Sequence, residues 1–222
     1  MNDEFERLID ALLITHDPSL FNQYAAVNPA LDGPEAAERR LANLRRYLEL
    51  FAGARYLLIG EAAGYAACRF SGVPFTDEAQ LIGPSPLPWA GPANGFRRSS
   101  RPERPLLREA SARVVWSALG ERRDVALWNV VPWHPPGPRG PLSNAPPGRA
   151  ARAAGLAVLR LALETIWPDA EPLAVGRVAE QALRALGLAA STYLRHPGHG
   201  GNSAFRAGLT DVLSPQRRDL ET

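Results

Sequence analysis

Lysine is missing from this chain: all 25 of its basic residues are arginines. That excludes the lysine of a phosphate-binding P-loop and any side-chain amine for a Schiff base. Cysteine is nearly as scarce. One residue, Cys68, rules out an internal disulfide framework and any cluster held by four thiolates. It reads as a small apolar packing residue rather than a nucleophile. The four histidines show no metal-ligand spacing, so no metal and no cofactor are expected. No apolar run approaches the roughly 18 residues of a membrane span. The acidic start, Asn2-Asp3-Glu4-Phe5-Glu6, is unlike a signal peptide. The expectation is a soluble, cytoplasmic monomer. Strong charge of one sign is also lacking: the net value is +2, so overall electrostatics do not announce nucleic acid.

What is present is enough apolar residue, 45% of 222, for one large core or at most two small ones. The organising stretch is 55–78. Tyr56-Leu57-Leu58-Ile59 reads as a buried strand ending at Gly60, followed at once by the carboxylate Glu61. Ala62, Ala63 and Gly64 allow a ligand close to the backbone, and Gly-Val-Pro-Phe at 72–75 offers the flat face of Phe75. Upstream, helical spacing covers residues 3–26 with a break near Asp17-Pro18. A longer helix opens at Asp32-Gly33-Pro34-Glu35, with proline in its first turn, and stops near Gly53. These are packing helices without a site.

Downstream, 64–70 reads as a short helix, and 83–105 as an irregular loop crowded with Arg97, Arg98, Arg101 and Arg104. A helix follows from 105 or 106 to 119. A second strand spans 124–131, then comes another irregular stretch over 132–148, then a helix from 149 to 167. Leu173-Ala174-Val175-Gly176 is a third strand, with a helix to Gly187. Thr192-Tyr193-Leu194 is a fourth strand, and Gly200-Gly201 opens a last helix. This alternation implies an α/β fold: one three-layer α/β/α domain over 52–213 with a mostly parallel four-stranded sheet. A helical N-terminal extension (1–51) packs on it, and a frayed tail (214–222) follows.

Four motifs fall at the ends of the four strands: Gly60-Glu61-Ala62-Ala63-Gly64, Trp128-Asn129-Val130-Val131-Pro132, Val175-Gly176-Arg177 and Arg195-His196-Pro197-Gly198. In a parallel sheet such ends converge on the edge where ligands bind. Each residue alone has an ordinary structural reading; the convergence is what points to a site. Together the motifs resemble the uracil-DNA glycosylase superfamily over residues 52–213, closest to the branch whose first motif reads Gly-Glu-Ala-Pro-Gly. By this likeness Phe75 is the stacking aromatic, Asn129 reads the uracil, Glu61 takes the water-activating position and His196-Pro197-Gly198 is the second motif. The branch carries an iron–sulfur cluster on four cysteines, which this chain cannot hold. Trp133 stands near where a ligand would be. Ala63 replaces the motif's proline, which is expected to loosen the loop that positions Glu61.

Removal of uracil from DNA needs a pocket for a base extruded from the stack. Phe75 offers a stacking face worth roughly 1–3 kcal/mol. The amide of Asn129 pairs one donor and one acceptor with O4 and N3–H of uracil. His196 donates to O2 as charge builds there, and Glu61 orients or deprotonates water, or steadies positive charge on the sugar. Gly60 and Ala62 line the base site, and His199 touches DNA or assists. Arg195, Arg98 and the helix start at Gly200 and Gly201 are read as DNA contacts. The expected activity is a monofunctional DNA glycosylase; without lysine, no lysine-dependent strand-cleaving lyase step follows. Two alternatives stand beside it: a DNA-binding relative that has lost the chemistry, and a glycosylase for hypoxanthine or xanthine.

Overall fold

The computed structural model describes residues 3–14, 17–84, 86–188, 192–198 and 200–214. The apolar run at 56–59 is buried on both faces and begins β1 (Tyr56–Ala62). Its neighbours are β2 (Val125–Val131), β5 (Glu171–Val175) and β6 (Thr192–Leu194), in the order β2-β1-β5-β6 with every pairing parallel. Near-continuous apolar strands of this kind need cover on both faces. Here α6 (Arg149–Thr165) on β2 and α7 (Arg177–Ala185) on β5 lie side by side along one cleft, and helices flank the sheet in a three-layer α/β/α arrangement. The order of strand addition reverses between β1 and β5. That makes a topological switch point, where the crevice at the carboxyl ends of the strands is widest.

Helices α1 (Asp3–Leu13) and α2 (Ala36–Phe51) contribute to the same buried core. Tyr47 of α2 accepts a hydrogen bond from Leu127 N at 2.6 Å and donates to Leu127 O at 3.1 Å, tying helix to sheet. Arg40 and Arg69, both fully buried, converge on the buried carboxylate of Asp32. Arg69 belongs to α3 (Cys68–Ser71), the short helix after the Glu61 loop.

Several boundaries differ from the sequence reading. Pro34 lies outside α2, because Glu35 turns the chain with φ 57° and the helix starts at Ala36. The helix expected from 105 or 106 begins only at Ala110, as α5 (Ala110–Leu119). A five-residue helix, α4 (Glu78–Ile82), follows an Asp77/Gln80 capping box. The stretch 132–148, expected to be irregular, holds an antiparallel hairpin of β3 (Pro136–Gly137) and β4 (Gly140–Asn144). Among its described residues the loop at 83–105 carries only a single 3₁₀ turn over Pro92–Asn94 and a bridge from Ser100 to Asp32. The final helix, α8, spans Asn202–Val212. The expected tail lies, beyond Ser214, outside the described residues. No described helix is long and apolar enough to cross a membrane.

Candidate active site

Register places Gly60 opposite Asn129 on adjacent parallel strands, so both positions face the same side of the sheet. Phe75 closes over them. A Cβ at Gly60 would lie 2.2 Å from Phe75 Cζ and 3.0 Å from Asn129 Oδ1. The ring therefore rests on bare backbone beside the amide, which only glycine permits. Asn129 is 3% exposed, and its side-chain amide makes no hydrogen bond to another described residue. Buried amides are normally paired; this one is not.

Phe75 has φ 53°, a left-handed conformation that costs an aromatic residue on the order of 1–2 kcal/mol. The turn is held from outside. Trp116 of α5 donates from Nε1 to Phe75 O and to Thr76 Oγ1, both at 3.0 Å, and Thr76 Oγ1 donates to Pro74 O.

One residue on, Glu61 enters a cleft of about 400 Å³ lined also by Gly64, Glu109, Asn144, His196 and Gly198. Burial raises the pKa of Glu61, against the opposing charge of Arg152. His196 follows β6 and packs over Gly176, the residue between β5 and α7; a Cβ there would be 3.4 Å from His196 Cβ. The Gly198 amide donates to His196 Nδ1 at 3.0 Å. With Nδ1 an acceptor, the proton of the neutral ring sits on Nε2. Gly201 lies so close under His196 O that a Cβ would fall 1.9 Å from it.

The backbone after Glu61 is hydrogen-bonded on both sides of the Ala63 peptide. Ala63 N donates to Val131 O, and Ala63 O accepts from Nδ1 of His134, each at 3.1 Å. The first of these bonds uses an N–H that proline lacks. Trp133 is buried and donates to Leu12 O.

The expected residues thus sort into two adjoining groups. The Phe75 ring and the Asn129 amide both lie against Gly60, while Glu61, Ala62 and His196 line the cleft, joined through the Gly60–Glu61 peptide. Arg195 and Gly200 are exposed beside the second group. Arg98 stands apart: its guanidinium is held by Ser100 Oγ at 2.8 Å and by the carbonyls of Arg101 and Arg104, knitting its own loop together. His199 lies outside the described residues. Glu109, Ser111 and Asn144 line the cleft without having been foreseen. Asn144 sits at the end of the unexpected hairpin and accepts from Tyr65 N at 2.9 Å. Among the described residues no three histidine, cysteine, aspartate or glutamate side chains gather to hold a metal.

No protein-family model matches this sequence, and no curated protein does.

Proposed function

We propose that this chain is a monofunctional DNA glycosylase that hydrolyses the N-glycosidic bond of uracil in DNA. The observation that carries the proposal is the contact of Phe75, Gly60 and Asn129: a stacking face and an uncommitted buried amide, one residue from a cleft carboxylate. An extruded uracil stacks on Phe75, and Asn129 donates to O4 while accepting from N3–H. Cytosine reverses that pattern, which supports discrimination. The C–N bond pair leaves with the base, and His196 Nε2–H donates to O2 as it becomes anionic. Water forms the new bond to the sugar carbon and loses one proton, with Glu61 orienting it and steadying the cationic sugar. The helix start at Gly200 and Gly201 and the side chain of Arg195 supply contacts for flanking phosphates.

The test is excision from single-stranded and duplex oligonucleotides carrying one uracil, hypoxanthine or xanthine, with abasic sites revealed by alkali. Excision of uracil, lost in Glu61→Gln and His196→Ala, is expected. Excision only of another base would keep the mechanism and change the substrate. DNA binding without excision would replace the enzyme with a binding module.

A further inference from the structure

One carboxylate of the cleft has no part in this reaction so far. Glu109 is the N-cap residue of α5, a position where the shorter side chains of Asp, Asn, Ser and Thr usually cap the helix. It makes no such bond. Its carboxylate turns to the Glu61 loop instead and packs on the backbone of Gly64, where a Cβ would lie 2.9 Å from Oε1 and 3.2 Å from Oε2. Ser111 Oγ donates to Oε1 at 3.1 Å, and no arginine pairs with the group among the described residues.

The support beneath it is rigid. Glu109 N donates at 2.8 Å to Asp77 Oδ2, while Asp77 Oδ1 accepts from Gln80 N to cap α4. Two turns along α5, Trp116 holds the carbonyl of Phe75. The stacking ring and this carboxylate therefore belong to one braced unit.

Resting on the glycosylase reading, we propose that Glu109 is a second catalytic carboxylate, which binds the attacking water together with Glu61 and takes the proton it loses. The division of labour follows from the surroundings. Burial raises the pKa of Glu61, but Arg152 opposes the rise, which suits a group that must stay charged beside a cationic sugar. Glu109 lacks such a partner. Burial raises its pKa, the Ser111 hydrogen bond opposes the rise and Asp77 adds to it. As the glycosidic bond breaks, its electron pair departs with the base. The water oxygen bonds to the sugar carbon, and one water proton passes to the Glu109 carboxylate, later returned to solvent.

The experiment is single-turnover excision by the full chain from a uracil-containing single strand, with Glu109→Gln, Glu109→Asp and Glu61→Gln in parallel. Binding to an oligonucleotide with an abasic-site analogue and thermal midpoints are measured on the same proteins. Glu109→Gln is expected to slow excision about 100-fold or more with binding and midpoint unchanged. Its pH–rate profile should lose one of the two carboxylate ionisations that shape the acid limb, both raised above the usual glutamate value by burial, and keep the one due to Glu61. Glu109→Asp, which keeps the base, should recover part of the rate. A wild-type rate in Glu109→Gln would overturn this proposal alone. So would a parallel loss of rate, binding and thermal midpoint, which marks a structural residue. No excision by the wild-type protein would overturn the glycosylase reading and this one with it.

Discussion

At Gly60 a hydrogen atom stands where any other residue would drive the Phe75 ring away from Asn129. Gly60→Ala places a methyl 2.2 Å from Phe75 Cζ, so the ring must leave its seat. Loss of stacking worth about 1–3 kcal/mol corresponds to excision slower by roughly 5- to 150-fold, measured under single-turnover conditions. Asn129→Asp exchanges the amide donor for a second acceptor. Preference for uracil over cytosine should shrink by about 1–3 kcal/mol, read by competition between two otherwise identical oligonucleotides. These residues were legible because each lies near the carboxyl end of an apolar strand, two residues before the strand finishes, and a parallel sheet gathers strand ends. Glu109 was not. The helical spacing of Leu107, Ala110 and Val114 absorbed it into a helix that in fact starts one residue later. Asn144 was visible only as a polar residue among prolines and glycines.

The Phe75 turn shows how one element strains and another restrains. Its left-handed backbone survives because Trp116 on α5 supplies two hydrogen bonds. Trp116→Phe keeps most of the apolar bulk and removes both. Stability should fall by about 1–3 kcal/mol, seen in denaturant unfolding, and uracil excision should weaken because the ring loses its seat. Ala63→Pro tests the other loop. It deletes the N–H that reaches Val131 O and leaves a buried carbonyl unpaired, at a cost of about 1–3 kcal/mol. A proline variant as stable as the wild type would show that this bond is dispensable. Elements of such short length escape periodicity altogether. Helix α4 spans little more than one turn, and its legible mark is the Asp77-x-x-Gln80 capping box rather than an apolar stripe. Strands β3 and β4 contain no β-branched or aromatic residue, so residue preference gave no signal; pairing and the turn at Gly140, with φ 90°, define them.

For the molecule as a whole, the alternation of elements implied a parallel sheet, while the strand order came only from the structure, since residue patterns do not say which edge a strand joins. That order puts the switch point between Glu61 and Gly176, on which His196 rests. Holding this crevice in shape is a buried histidine from the loop after β2. His134 is fully buried, and Nδ1–H donates to Ala63 O. Burial lowers its pKa to about 4; the Ala63 carbonyl opposes this and the nearby charge of Arg69 adds to it. An unfolded histidine titrates near 6.5. Below that pH the unfolded chain binds a proton that the folded chain refuses until about 4. The stability due to neutral burial is therefore complete above about 6.5 and is lost progressively towards 4, a total of about 3 kcal/mol. Glu61, Asp77 and Glu109 act in the opposite sense. Their folded pKa values are raised, so the folded chain takes up protons first and gains stability as pH falls through that range. A plain stability–pH curve mixes these contributions, and His134→Gln separates them. Gln retains a donor for Ala63 O but does not titrate, so the stability difference between wild type and variant carries the histidine alone. Measured by denaturant unfolding between about pH 7 and pH 4, that difference should move by about 3 kcal/mol against the wild type as acid is added. A difference constant across the range would mean that His134 titrates alike in the folded and unfolded chain, and that burial does not hold it neutral.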